Sequence, residues 1–119
     1  MSLNLSALPP TPHYASLGTA AKAVVLPRSG HLKSFGALNL GSSARYLLLF
    51  DAASESGITG TPFRTYPVYP SDGLTIIDQS FWGTDGLFFE AGIAWAASSS
   101  PLVVVAVDPS TFVLEMTIS

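Results

Sequence analysis

Hydrophobic and polar positions along the chain change over in short runs, each closed by glycine, proline or aspartate, which is the pattern of strands and turns. AKAVVLP (21–27) is the first candidate strand and stops at Pro27 and the RSG turn. HLKSFGALNL (31–40) sets Leu32, Ser34, Gly36, Leu38 and Leu40 against Lys33, Phe35, Ala37 and Asn39, with Gly36 a candidate bulge. GSS turns into RYLLLFDA (45–52), and the polar ASESGITGTP (53–62) is a long loop. FRTYPVYP (63–70) mixes aromatic and β-branched residues, and Pro67 confines it to a sheet edge. SDG leads into LTIIDQ (74–79), and WGTDG (82–86) is a turn-rich link. LFFEAGIAWAAS (87–98) is one long bent strand, or two pivoting at Gly92; LVVVAV (102–107), a DPS turn and TFVLEMTIS (111–119) follow. About eight short strands and no amphipathic helix predict an all-β fold. The links are too short for parallel crossovers, so the expectation is an antiparallel β-sandwich of jelly-roll or Greek-key type over residues 21–119.

RYLLLFDA poses a problem. As a strand it points Tyr46, Leu48 and Phe50 to one face and Leu47 and Leu49 to the other. LVVVAV is equally two-sided, with Val103, Val105 and Val107 opposite Leu102, Val104 and Ala106. Such runs mark sheets buried on both faces, yet a sandwich partner covers only one. Three apolar side chains on each of three strands, left in water, forfeit on the order of 10–20 kcal/mol, as much as a domain's whole net stability. The expectation is that identical subunits cover one another, as a closed ring or homotrimer, with Leu47, Leu49, Val103 and Val105 at the contact.

Residues 1–20, MSLNLSALPPTPHYASLGTA, carry no helical or alternating period. Pro9, Pro10 and Pro12 favour extended backbone around them. Leu3, Leu5, Leu8, Tyr14 and Leu17 are more apolar than a solvated tail requires. The segment is therefore expected as an extended arm, with Leu3, Leu5, Leu8 and Tyr14 lying on a neighbouring subunit.

Composition sharpens this. Hydrophobic residues make up 48% of the 119, charged residues only 11%, and the net charge is −3. A free monomer normally carries about 25% charged residues. Lys22, Arg28, Lys33, Arg45 and Arg64 are scattered singly, which argues against direct nucleic-acid binding. The first residues show neither a basic region nor a continuous apolar one, and the longest apolar run, LVVVAV, is far short of the ~20 residues of a membrane helix. No membrane partner and no Sec export are expected.

Catalytic constellations are sparse. With no cysteine, thiolate nucleophiles, thiolate metal sites and disulfides are excluded. His13 and His31 are the two imidazole bases, and no G-x-S-x-G elbow accompanies them. No zinc spacing exists. Asp51, Asp72, Asp78, Asp85 and Asp108 are candidate calcium ligands, but Asp72 and Asp85 each precede a glycine and read better as turn residues. No catalytic, cofactor or metal site is expected. The aromatics Tyr66, Tyr69, Trp82 and Trp95 form a candidate stacking platform for carbohydrate, set against the simpler role of filling the core or an interface.

The succession GHLKSFGALNLGSSARYLLLFDA, a loop, a strand ending before SDG, then FWGTDGLFFEAGIAWAAS and a final pair of strands resembles small structural proteins of tailed-bacteriophage virions. The matching features are the glycine-led strand running into RYLLLFDA, with Asn39 in it, and the aromatic-glycine turn before the Gly86–Ser98 strand. The likeness spans residues 22–118 and excludes the arm. It implies a non-enzymatic β-sandwich in the virion, first of all a capsid decoration (cement) protein, trimeric and bound to the major capsid protein. A tail, neck or fibre-associated subunit and a carbohydrate- or receptor-binding module are the alternatives.

Overall fold

A computed structural model describes residues 13–119 as nine strands in two antiparallel sheets. The strands are β1 (His13–Leu17), β2 (Lys22–Leu26), β3 (Gly30–Asn39), β4 (Arg45–Asp51), β5 (Arg64–Val68), β6 (Thr75–Ile77), β7 (Leu87–Phe89), β8 (Ile93–Ser98) and β9 (Phe112–Ile118). The first sheet runs β1-β9-β3, and β6 and β7 lie end to end along the far flank of β3. The second runs β2-β8-β4-β5, so β5, with Pro67, is an edge strand as expected. In each sheet a late strand, β9 or β8, sits between two early ones, which gives the expected sandwich its Greek-key-like crossings.

Alternation fixes what faces inward. From the first sheet Phe35, Ala37, Phe112, Leu114 and Met116 point into the core. From the second, Leu47 and Leu49 do so, paired with Ala97 and Trp95. Leu47 and Leu49 are fully buried between the sheets, which corrects their assignment to a subunit contact. The opposite parity, Leu48 and Phe50, pairs with Ala96 and Ala94 on the outer face of the second sheet. That face is closed by the chain itself. Ile58 from the 53–62 loop and Val104 from the segment after β8 pack over it. Both sides of RYLLLFDA are thus buried within one subunit, and β4 needs no neighbour.

LVVVAV is not a strand. The Ser98 hydroxyl donates to the Val103 carbonyl at 2.9 Å and accepts the amides of Ser100 at 3.0 Å and Val105 at 2.9 Å. Held by the Ser98 hydroxyl, and by the Ser99 amide donating to the Val105 carbonyl at 3.1 Å, rather than by a strand partner, the segment crosses the outer face irregularly. Val104 points down, while Val103 and Val105 stay 50% and 45% exposed.

Three further departures have local causes. The β3 bulge falls between Leu32 and Ser34, not at Gly36, and it lets Leu32 and Phe35 share the inner face. LFFEAGIAWAAS splits into β7 in the first sheet and β8 in the second. Gly92 makes the crossing, where a Cβ would stand 2.5 Å from the Ala52 carbonyl oxygen and 2.6 Å from that of Leu26. The link between β6 and β7 contains a one-turn helix, α1 (Gln79–Trp82), opened by Asp78. Residues 13–17, taken above as part of the arm, belong to the sandwich as β1, paired with β9 from His13–Thr117 to Leu17–Val113.

Candidate interaction surface

The second sheet is covered on its outer side; among the described residues the first is not. Strand register places its outward residues in rows. Leu17, Val113 and Leu38 form one, and Ala15, Glu115, Gly36 and Ile76 the next. His13, Thr117 and Ser34 form a third, polar row. Leu17 is 73% and Ile76 58% exposed, with Leu38 and Val113 half-buried between them. Leu74 lies over Gly36, its Cδ1 3.5 Å from where a Cβ on that residue would be, and is also exposed. Gly36 keeps the middle of the face flat, since any side chain there would press on Glu115. The only ionisable groups in these rows are Glu115 and His13, whose Oε2 and Nε2 stand 3.7 Å apart. Two of the three rows are thus mainly apolar, with Glu115 among them and polar groups along the third, the composition of an interaction surface rather than of an ordinary exterior.

These residues were missed in sequence because β6 has only three residues, too few to show alternation, and Leu17 sits in the segment taken as arm. The outward Val113 was visible in the alternation of TFVLEMTIS, but its companions Leu38 and Ile76 become neighbours only through strand register.

The expected contact residues that the structure describes do not come together on one exposed face. Leu3, Leu5 and Leu8 lie outside the described residues. Tyr14 is half-buried, with its ring edge-on to Trp95 at 6.3 Å, so it serves its own core. Val103 and Val105 are exposed, but on the second-sheet side, away from the apolar rows.

The aromatic platform is also dismantled. Trp95 is fully buried and stacks on Phe112 at 6.1 Å, so it offers no face to a ligand. Trp82 donates its indole N–H to the Tyr66 hydroxyl at 3.1 Å, and both rings pack against Phe35. They close the end of the core. Tyr69 alone of the four is exposed.

An open notch of about 430 Å³ lies where β6 and β7 part, lined by Lys33, Ser34, Asp78, Gln79, Ser80 and Thr117. Asp78 is engaged there, its Oδ1 accepting the Ser80 amide at 2.9 Å and hydroxyl at 2.6 Å. Asp108 repeats the arrangement with Ser110 in the DPS turn. In Asp78 the hydroxyl contact, and in Asp108 the amide contact, contributes most to holding the carboxyl below its ordinary range. Both open a helical turn, as their D-x-S spacing suits. Asp51 uses its carboxylate on the β7–β8 crossing. Among the described residues no three acidic or histidine side chains gather as metal ligands, and no helix is long and apolar enough to cross a membrane.

No protein-family model, curated protein or solved structure matches this chain.

Proposed function

We propose that the chain is a non-enzymatic structural subunit of a virion: a capsid decoration (cement) protein that associates with copies of itself and with the major capsid protein. The observation that carries this reading is the apolar face of the first sheet, which no other described residues cover, on a chain in which only 11% of residues are charged. Leu17, Leu38, Val113, Leu74 and Ile76 there resemble the apolar centre of a protein–protein contact. The class of assembly is taken from the resemblance of the succession of strands and turns to small phage structural proteins. Support for carbohydrate binding is weaker, because Trp95 is core and Tyr66 and Trp82 bind each other.

The test is light scattering of the purified chain, followed by co-sedimentation with expanded phage capsids lacking a decoration protein. A stable oligomer, trimeric by expectation, that pellets with the shells supports the proposal. A chain that stays monomeric and ignores shells removes it. Binding to tails instead transfers the role to the tail or neck.

A further inference from the structure

The notch between β6 and β7 is opened by a fault in the pairing of β3. That strand pairs with β7 as far as Leu32–Leu87 and with β6 only from Phe35–Ile77, so Lys33 and Ser34 have no strand on that flank. Lys33 is also skipped in the pairing with β9, where Leu32 faces Ile118 and Ser34 faces Thr117. Regular alternation would send Lys33 and Ser34 to opposite faces of the sheet. The bulge lets both line the notch, with Thr117 of β9 beside them. Bulges re-aim side chains in this way next to functional sites.

The link from β6 to β7 supplies the other wall. Gln79 Nε2 donates to the Thr84 carbonyl at 3.1 Å, and Lys33 Nζ donates to the same oxygen at 3.4 Å. One carbonyl thus holds both side chains, and the Gln79 amide oxygen and the other ammonium protons are left for a ligand. Asp78 turns Oδ1 to Ser80 and keeps Oδ2. The Ser34 and Thr117 hydroxyls can donate and accept. Donors and acceptors are therefore mixed around about 430 Å³, within the roughly 300–1,000 Å³ of small-molecule sites. Apolar side chains flank this space. Ile76, opposite Gly36, and Phe88, opposite His31, each stand one ladder position from the gap, 58% and 51% exposed. The Phe88 ring lies against the His31 imidazole, with centroids 5.1 Å apart.

This lining restricts the occupant. Lys33 and Asp78 carry opposite charges, so neither an anion nor a cation gains from a net field. A nucleic-acid backbone needs several cations, and a calcium ion several oxygen ligands with carboxylates among them. Two unpaired residues are too short an edge to hold a peptide strand. Mixed donors and acceptors beside an apolar flank match a neutral ring with hydroxyls on its rim and C–H groups on its faces.

We infer that the notch binds a neutral saccharide unit, its hydroxyls on Lys33, Ser34, Asp78, Gln79 and Thr117 and a C–H face toward Phe88. The site is separate from the Tyr66–Trp82 pair, and it holds whether or not the chain assembles with itself.

The test is amide NMR of the isotope-labelled full chain, titrated with glucose, galactose, mannose and N-acetylglucosamine at millimolar concentration. Glucuronic acid, inorganic phosphate and alanine are the charged comparisons. At least one neutral sugar should shift the amides of Lys33, Ser34, Gln79 and Thr117 saturably, and none of the charged probes should bind more tightly. Thr117→Val removes a hydroxyl at nearly constant shape, and Phe88→Ala removes the apolar flank. Each should weaken sugar binding about three- to tenfold while the rest of the spectrum is retained. Tyr69→Ala, an exposed aromatic outside the notch, should leave binding unchanged. No shift with any of these sugars overturns the proposal, as does tighter binding of a charged probe. Shifts that fall outside the notch, or that survive both notch variants at full affinity, overturn it as well.

Discussion

Asp51 Oδ1 accepts the Ala91 amide at 2.7 Å. The same atom takes Gly92 at 3.2 Å, and Oδ2 takes Glu90 at 3.1 Å, so one carboxylate at the end of β4 clasps the whole crossing from β7 to β8. Desolvation opposes ionisation here, but the three amides, Ala91 foremost, outweigh it and hold the carboxyl below its ordinary value of 3.8. A lowered folded pKa means a contribution that is complete above the unfolded value, about 3.9, and is lost as pH falls through the folded one. Because the site is solvent-exposed, Asp51→Asn should cost only about 1 kcal/mol at pH 7. Urea denaturation at neutral and acidic pH checks this: the gap between wild type and variant should narrow below roughly pH 4.

Ser98 anchors the segment that covers the second sheet. Ser98→Ala removes three hydrogen bonds to residues 100–105 and exposes Leu48 and Phe50 beneath Val104 whenever the segment lifts. The expected loss is about 1–3 kcal/mol. Limited proteolysis should cut the variant first between residues 99 and 107, while Ser56→Ala, on an exposed loop, leaves the digestion pattern unchanged.

Asn39 is buried at the end of β3, with both amide N–H groups and the amide oxygen bonded to backbone. Its Nδ2 donates to the carbonyls of Ser43 at 2.8 Å and Val68 at 2.9 Å, and its Oδ1 accepts the Gly41 amide at 2.9 Å. It therefore ties the β3–β4 turn to the second sheet. Asn39→Ala should cost about 2–3 kcal/mol. Asn39→Asp should cost more at neutral pH, since a carboxylate cannot donate to two carbonyls. Guanidinium denaturation midpoints for the two variants decide it.

Gly92→Ala should be among the most damaging single methyl additions. Its Cβ meets the backbone oxygens of Ala52 and Leu26, which the ends of β4 and β2 hold in place. Overpacking of this kind costs about 1–3 kcal/mol or more. Gly60→Ala is the comparison: nothing lies within 4 Å, and only its φ of +73° opposes a side chain, a penalty of about 1 kcal/mol. Thermal denaturation should rank Gly92→Ala clearly below Gly60→Ala.

Local chemistry made much of the architecture legible. Pro67 placed β5 at an edge, the polar 53–62 stretch was a loop, and Gly92 marked a pivot. Which side of β4 faces inward was not legible. A strand buried on both faces has no polar side to betray its orientation, and the covering residues, Ile58 and Val104, are fixed only by tertiary packing. LVVVAV misled for a related reason: its β-branched residues favour a strand, but the hydroxyl of Ser98 takes its backbone groups first. The apolar rows of the first sheet combine residues from β1, β3, β6 and β9, so no single window of sequence displays them.

The end-to-end placement of β6 and β7 has a practical consequence for locating this subunit in a particle. The chain leaves the flank of β3 after Ile77 and returns at Leu87, two positions served by the same strand, and Thr84, between them, is exposed. A small fluorescent or metal-cluster tag inserted beside Thr84 therefore lengthens an existing detour without entering either sheet. It would give micrographs a marker on the opposite flank of the first sheet from β1, the strand into which the amino-terminal residues lead.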